Sequence, residues 1–204
     1  MYSSLCAFGD VIPLKVRCNS KKLHNEIVKF DRARYNPRKD IKRHGLSITS
    51  LDGKTNGIDL DSIKEYNVEN GTSYDEMSFR MFTSVYHSSE EIRKLTRPFE
   101  KHIGRTHVIE LDKGGYFPPH RDQPRYTERQ KSLRIFVPLT RCNPTDMYFT
   151  YDGKTLYFEH GRAYFINTNK THSLFSFSGS SMIVINVEAR TEVYETIGSL
   201  FMSS

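Results

Sequence analysis

The chain has 204 residues, of which 37% are hydrophobic and 26% charged, a composition typical of a soluble globular protein with one domain. No apolar run approaches the roughly 20 residues of a membrane span, and the N-terminus lacks the basic and apolar segments of a signal peptide. Cys6, Cys18 and Cys142 are too few and too widely spaced for a disulfide framework or a zinc ligand set. We therefore expect a cytoplasmic protein without membrane association.

The net charge of +6 is concentrated in one segment. Between Lys29 and Arg43, seven lysines and arginines stand against two aspartates. Such a segment can bind nucleic acid or an anionic substrate. No aromatic-interleaved nucleic-acid motif accompanies it, so a solvated helix end and loop is the favoured interpretation.

The N-terminal half reads as a mixture of short helices and strands. Residues 11–17 predict a strand, and residues 20–34 predict a helix that Asn19 or Ser20 caps. The tripeptide Tyr35-Asn36-Pro37 should end this helix. Residues 45–50 alternate like a short strand that ends at the turn signal Asp52-Gly53.

A second helix follows an irregular stretch. Residues 54–80 are polar, with one helical turn expected near residues 60–66. Ser88 and Glu91 then form a capping box for a helix whose apolar stripe extends to Ile103. Pro98 lies inside that pattern and should kink or restart the helix.

From Thr106 onward the pattern changes to short strands separated by turn signals. The predicted strands are 107–111, 133–139, 147–151, 155–159, 162–167, 172–177 and 182–188, followed by a helix over 191–201. This spacing is typical of a sandwich or jelly roll. We predict a mainly β fold with flanking helices around a double-stranded β-helix (jelly-roll, cupin-like) core. The expected single domain (1–204) has a mixed α/β elaboration over 1–104, the core over 105–190 and a C-terminal helix over 191–204.

Three side chains in this region form a candidate metal site. His120 and Asp122 are two residues apart, so they face the same side of an extended segment, and His172 begins a later predicted strand. Two histidines and one carboxylate, with other positions open, are the ligand set of non-heme Fe(II) oxygenases. We predict that His120, Asp122 and His172 bind the metal and carry catalysis. His160 is the rival for the second imidazole, but it stands beside Gly161 in a predicted surface turn.

The stretch from Thr106 to Val187, roughly 80 residues, resembles the core of the Fe(II)/2-oxoglutarate-dependent oxygenases. The resemblance rests on His120-Arg121-Asp122, on residues 132–139 (SLRIFVPL) and on residues 161–167 (GRAYFIN), which lead to His172. Within that superfamily the chain is most similar to the aspartyl/asparaginyl β-hydroxylase-like branch, which includes free-amino-acid hydroxylases such as a proline hydroxylase.

The resemblance implies a dioxygenase that uses Fe(II), 2-oxoglutarate and O2. It would hydroxylate an amino acid, or an Asp, Asn or Pro residue of a peptide or protein, with succinate and CO2 as coproducts. The distal carboxylate of 2-oxoglutarate needs a cation, ideally a bidentate arginine. Arg134 matches the family's Leu-Arg position and is the first candidate, and further candidates for cosubstrate binding are Ser181, Tyr148 and Arg162. From the sequence we expect that Arg134→Ala weakens 2-oxoglutarate binding and leaves iron binding nearly intact.

The sequence departs from the family pattern at two positions. The family usually places a second arginine about ten residues after the distal histidine, but residues 180–184 (SSMIV) contain none, and the family's histidine two residues after Arg134 is Phe136 here. Both changes bear on the cosubstrate more than on the metal.

The expected substrate is a small molecule or a peptide. Candidate substrate-binding residues are Arg121, Tyr116 and Gln123, which flank the metal motif, and Arg80 from the N-terminal part. Two other functions stay open. A nucleic-acid dealkylase of the same superfamily is motivated by the basic segment but weakened by the missing late arginines, and a cupin-type module could hold a metal or ligand without turnover.

Overall fold

The computed structural model describes residues 2–34, 42–55, 57, 62–122, 131–140, 143 and 145–202. Its elements in chain order are α1 (Tyr2–Cys6), β1 (Val11–Arg17), α2 (Ser20–Ile27), β2 (Ala33–Arg34), β3 (Arg43–Ser47), β4 (Thr49–Ser50), α3 (Ile63–Asn70), β5 (Met81–Phe82), α4 (Ser84–Ser88), α5 (Glu90–Thr96), a 3₁₀ helix (Arg97–His102), β6 (Ile103–Leu111), β7 (Tyr116–His120), β8 (Ser132–Thr140), β9 (Met147–Tyr151), β10 (Lys154–Leu156), β11 (Arg162–Ile166), β12 (His172–Ser176), β13 (Ser180–Glu188) and α6 (Thr191–Ser199). Among these residues, no helix has the length and apolar character to cross a membrane.

Two antiparallel sheets form the body of the fold. The large sheet has the strand order β1-β11-β8-β13-β6-β3-β2, and the small sheet has the order β10-β9-β12-β7. The chain crosses repeatedly between the sheets, which is the jelly-roll arrangement. The predicted fold class, mainly β with flanking helices and a jelly-roll core, is confirmed. Strands β1 and β3 of the predicted N-terminal elaboration extend the large sheet by pairing with β11 and β6.

The large sheet separates two apolar cores, and strand alternation decides which residue enters which core. On β13, Ile183 and Ile185 pack with the helices, whereas Met182 and Val184 pack with the small sheet. The space between the two sheets is lined by aromatic and aliphatic side chains from both. This second core positions the candidate site, because the metal motif lies at its edge.

Helix α2 ends at Ile27 rather than at the predicted residue 34. Its start is as predicted, with the side chain of Asn19 accepting a hydrogen bond from the Lys22 amide. At the other end, the Arg32 guanidinium donates to the carbonyls of Ile27 and Phe30, at 2.9 and 2.5 Å. A side chain that binds the last carbonyls satisfies a helix C-terminus, so the helix does not need to continue.

Two other differences from the expected elements have local causes. Ser89, and not Ser88, caps α5 through its hydroxyl, and the segment around Pro98 forms a 3₁₀ helix rather than a kinked α-helix. The sequence does not predict strand β7, because Pro118 and Pro119 lack amide donors. The two prolines are tolerated because β7 lies at the edge of the small sheet, where a strand needs donors on only one side.

We predict that Gly161→Ala destabilises the fold far more than Gly153→Ala does. Both glycines have φ of +78°, so each substitution places an alanine in the left-handed region at a cost of about 1–2 kcal/mol. A Cβ at Gly161 would also lie 2.6 Å from the Cys18 carbonyl oxygen, where β11 begins beside α2, whereas a Cβ at Gly153 meets nothing within 4 Å. We expect Gly161→Ala to lower the free energy of unfolding by about 3 kcal/mol. Chemical denaturation measures both variants, and equal losses would contradict the close approach.

Candidate metal centre

Two strand ends bring the predicted metal ligands together. His120 ends β7, His172 begins β12, and the two residues are direct partners in the antiparallel register. Asp122 follows His120, and one ligand atom of each of the three residues lies within 4.8 Å of the others. The Nε2 atoms of His120 and His172 lie 3.4 and 3.8 Å from the Asp122 carboxylate oxygens. The structure therefore gathers His120, Asp122 and His172 into one cluster.

Backbone carbonyls orient both imidazoles. The Nδ1 atom of His120 lies 2.7 Å from the Pro118 carbonyl oxygen, and Nδ1 of His172 lies 3.0 Å from the Lys170 carbonyl oxygen. A carbonyl only accepts, so each Nδ1 carries the proton and each Nε2 presents its lone pair to the cluster. The Asp122 amide donates to the Thr168 carbonyl at 3.1 Å, which fixes the third ligand.

The charges of the cluster suit a bound cation. Burial alone would raise the pKa of Asp122, but Arg134 and the two imidazoles outweigh burial and hold that pKa well below its usual range. Burial lowers the pKa of His172, which favours the neutral imidazole. At His120 burial acts in the same direction, but Asp122 outweighs it and raises the pKa. A bound divalent cation would take over from the imidazole protons in stabilising the negative charge of Asp122.

A cavity of about 210 Å³ lies beside the cluster, between the two sheets. Most of its wall is apolar and comes from both sheets: Ile109, Phe117, Phe136, Phe149, Ile166, Leu174, Met182 and Val184. Its polar part consists of Glu76, Arg105, His107, Arg134, Thr168 and Ser173, in addition to the three candidate ligands. Burial, reinforced by Arg105 and Arg134, lowers the pKa of His107 well below its usual value, so His107 lines the cavity as a neutral imidazole.

Arg134 links the metal cluster to the rest of the cavity. Its Nη1 donates to the Asp122 carboxylate, and its Nε donates to Oδ1 of Asn186 at 3.1 Å. Its Nη2 lies 3.6 Å from Oε1 of Glu76. These partners fix the guanidinium beside the metal ligands.

A second arginine shares the same carboxylate. Nη1 of Arg105 lies 3.3 Å from Oε1 of Glu76, and the Arg105 side chain is almost fully buried. Asn186 ties the two arginines together, because its Nδ2 donates to the Arg105 carbonyl at 2.6 Å. The chain segment that carries Glu76 lies directly on β6: the Arg105 amide donates to the Glu76 carbonyl at 2.7 Å. Gly104 makes this approach possible, because a Cβ there would lie 2.5 Å from the same carbonyl oxygen.

Of the four predicted cosubstrate residues, Arg134 lines the cavity, and Ser181, Tyr148 and Arg162 do not. Ser181 lies on the opposite face of β13 from Met182, with its hydroxyl 3.1 Å from Oγ1 of Thr140. Tyr148 lies on the outer face of the small sheet, where its hydroxyl accepts a hydrogen bond from Thr155.

Arg162 is also held away from the cavity. It is buried and donates to Glu159, at 2.8 Å, and to the Leu14 carbonyl, at 3.1 Å. Arg162 shares a face of β11 with Ile166, which lines the cavity, but it lies at the opposite end of that strand and neither it nor its two partners belongs to the cavity wall.

The predicted substrate residues lie outside the described cavity wall. Arg121 points away from the cluster and donates to the Thr171 hydroxyl at 3.0 Å. Tyr116 begins β7, at the strand end opposite His120. Arg80 is exposed, donates to the Met77 carbonyl and pairs with Glu188 at 3.4 Å. Gln123 lies outside the described residues.

The rival histidine His160 and the described residue Arg32 of the basic segment do not line the cavity. His160 is exposed in the turn before β11, as expected for a surface histidine. In the basic segment, residues 35–41 lie outside the described residues, and Arg32 pairs with Glu110 at 3.0 Å.

Sequence reasoning missed Glu76, Arg105, His107 and Asn186. Glu76 belongs to the stretch 54–80, for which the sequence predicts irregular structure, and Arg105 lies on β6 ahead of the predicted strand start at residue 107. None of the four residues lies in a recognisable sequence motif.

No family model and no curated protein matches the chain, but solved structures do. SnoN, a non-heme α-ketoglutarate-dependent epimerase from nogalamycin biosynthesis, superposes with a TM-score of 0.54 at 9% identity, over 92% of this chain and 82% of its own. The 2-oxoglutarate complex of a viral collagen prolyl hydroxylase from Paramecium bursaria Chlorella virus-1 superposes with a TM-score of 0.50 at 10% identity, over 91% and 99%. At such identities the similarity establishes the fold, which this chain shares with these two proteins over nearly its whole length.

Proposed function

We propose that this chain is an Fe(II)- and 2-oxoglutarate-dependent dioxygenase that hydroxylates an amino acid or a peptide residue. The observation that carries the proposal is the convergence of His120, Asp122 and His172 beside a largely apolar cavity. Two imidazole nitrogens and one carboxylate oxygen are the donor set that non-heme Fe(II) prefers, and both imidazoles present the required nitrogen. The residues therefore fit the metal.

The cavity also fits a small dicarboxylate. Its apolar wall would cover a methylene chain, and Arg134 offers a guanidinium beside the metal ligands. When bound, iron and 2-oxoglutarate would supply the oxidising chemistry, in which O2 and 2-oxoglutarate give succinate and CO2 and one oxygen atom enters the substrate. The chain's own contribution is to hold the metal, to orient the cosubstrate and to keep water out.

The polar part of the cavity supports the proposed substrate class. Glu76 lies between Arg105 and Arg134, so a carboxylate and two guanidiniums face the same space near the metal ligands. This charge pattern would bind the ammonium and carboxylate of a free amino acid, or an acidic or amide side chain of a peptide. The choice of aspartate, asparagine or proline rests on the sequence resemblance. The fold shared with a prolyl hydroxylase is compatible with it.

Anaerobic titration followed by turnover tests the proposal. We expect the purified protein to bind Fe(II) and then 2-oxoglutarate, and to convert 2-oxoglutarate to succinate once O2 and ascorbate are added. Asp122→Ala should abolish succinate formation, and a mass screen of amino acids and peptides for one added oxygen atom identifies the substrate. Metal binding without 2-oxoglutarate binding would instead favour the non-catalytic cupin-type module. Failure to bind either would end the enzyme proposal.

A further inference from the structure

We propose that Asp10, a residue of the N-terminal part of the chain, positions two of the three metal ligands. The inference rests on the proposed function, because it concerns the geometry of the metal site. Asp10 is not part of the cavity wall. It acts on the ligands through residues 167–171, which join β11 to β12 and are called the ligand turn below.

The ligand turn holds Asp122 and His172 through two of its carbonyl groups. The Thr168 carbonyl accepts a hydrogen bond from the Asp122 amide at 3.1 Å. The Lys170 carbonyl lies 3.0 Å from Nδ1 of His172. Partners of this kind, one step removed from the metal, fix the orientation of the ligands and with it the metal affinity. A shift of the turn would therefore change the position of the Asp122 carboxylate relative to the His172 imidazole.

The strand register brings Asp10 against the first residue of the ligand turn. Strand β1 pairs antiparallel with β11, and Val11 is opposite Ile166, so Asp10 is opposite Asn167. The Asn167 amide donates to the Asp10 carbonyl at 2.7 Å, and Nδ2 of Asn167 donates to Oδ1 of Asp10, also at 2.7 Å. Asn167 is 8% exposed, so water competes little for these hydrogen bonds.

The second oxygen of the same carboxylate binds the other end of the ligand turn. Oδ2 of Asp10 lies 2.8 Å from Nζ of Lys170. A half-exposed ion pair contributes little to stability by itself. Here, however, one carboxylate joins Asn167 to Lys170, and these two residues flank Thr168 in the chain. The carboxylate therefore fixes the spacing between the two ends of the segment that supplies both carbonyls.

The surroundings of Asn167 define what position 10 must provide. The Tyr2 hydroxyl donates to Oδ1 of Asn167 at 2.5 Å, and the Tyr151 hydroxyl donates to the Asn167 carbonyl at 2.7 Å. Since Oδ1 faces a donor, the Nδ2 donors of the same amide face Asp10. Position 10 thus needs an acceptor for Asn167 and a negative charge for Lys170. An aspartate supplies both, an asparagine only the acceptor, and an alanine neither.

Anaerobic calorimetric titration with Fe(II) tests this role, because a residue that only stabilises the fold leaves the metal affinity of the folded protein unchanged. For Asp10→Ala we expect the Fe(II) affinity to fall about tenfold, at the lower end of outer-shell effects. For Asp10→Asn we expect a loss of about threefold, since the acceptor for Asn167 is kept and only the ion pair with Lys170 is lost. This partial recovery distinguishes a positioning role from loss of packing.

The matched control is Glu159→Gln. Glu159 is another partly exposed carboxylate with basic partners, Arg17 at 2.6 Å and Arg162 at 2.8 Å, but it lies at the opposite end of the β1–β11 pair. We expect its Fe(II) affinity to equal that of the wild type. Circular dichroism before each titration establishes that the variant is folded.

The possible results separate the inference from the proposed function. If wild type does not bind Fe(II), the proposed function fails and the inference with it. If wild type binds Fe(II), the inference is overturned by an Asp10→Ala variant of wild-type affinity, or by an equal loss of affinity in Glu159→Gln. If Asp10→Ala does not fold, Asp10→Asn decides: reduced Fe(II) affinity supports the role, and wild-type affinity refutes it.

Discussion

Replacement of His172 by alanine is expected to lower the affinity for Fe(II) by at least about 100-fold. Loss of an outer-shell partner alone typically costs a metal site 10–100-fold, and this substitution removes a ligand. His172 also lies on β12, which pairs with β7, the strand that carries His120, so that the two imidazoles face each other. Anaerobic calorimetry, or metal content after dialysis, measures the loss. We expect succinate formation to disappear with the metal.

His160→Ala is the matched control for this prediction. His160 is the other histidine near the motif in the sequence, but it is exposed in the turn before β11. We expect its removal to leave metal affinity and stability unchanged within error. If His160→Ala impairs metal binding as strongly as His172→Ala, the assignment of the second imidazole is wrong.

The metal cluster could be predicted from the sequence because its information is local. His120 and Asp122 share a face through strand alternation alone, and a β-rich context limits where a distant histidine can return. Direct pairing of His172 with His120 across β12 and β7 could not be read in this way. The register depends on Pro118 and Pro119 occupying an edge strand, which single-sequence propensity disfavours.

The polar network around the cluster could not be predicted, because its members come from distant parts of the chain. Glu76 reaches the cavity only because Gly104 lets its segment lie against β6. Asn186 looks like any polar residue at a strand end, yet it is 1% exposed and holds both Arg134 and the Arg105 carbonyl. Such contacts depend on sheet order and register, which periodicity in one segment does not encode.

The same dependence on sheet order and register explains why three of the four predicted cosubstrate residues do not line the cavity. The sequence correctly shows that the late arginine is missing, since the cavity-facing residues of β13 are Met182 and Val184. It could not show that Ser181 faces the other core, because the inward face of β13 is fixed by its pairing with two neighbouring strands. Nor could it show that β3 joins the large sheet by pairing with β6.

Replacement of Arg134 by methionine is expected to weaken cosubstrate and metal binding together. The sequence led us to expect nearly intact metal binding, but the structure gives Arg134 a direct hydrogen bond to the Asp122 carboxylate. Without that partner the Asp122 carboxylate loses its arginine contact and is positioned by the backbone bond to the Thr168 carbonyl and by the two imidazoles. We expect metal affinity to fall about tenfold, at the lower end of outer-shell effects.

Loss of cosubstrate affinity should exceed loss of metal affinity in this variant. Charge-assisted hydrogen bonds to a carboxylate contribute about 1.5–3 kcal/mol each, so 2-oxoglutarate should bind the metal-saturated variant about 10–100-fold more weakly. Titration with 2-oxoglutarate at saturating Fe(II) measures the loss of cosubstrate affinity separately from the loss of metal affinity.

Arg162→Met is the control, because Arg162 is a buried core-strand arginine whose partners, Glu159 and the Leu14 carbonyl, lie away from the cavity. If Arg162→Met reproduces the ligand-binding loss of Arg134→Met, the effect reports general destabilisation of the sheet. A loss specific to Arg134→Met shows that its guanidinium contributes to cosubstrate binding.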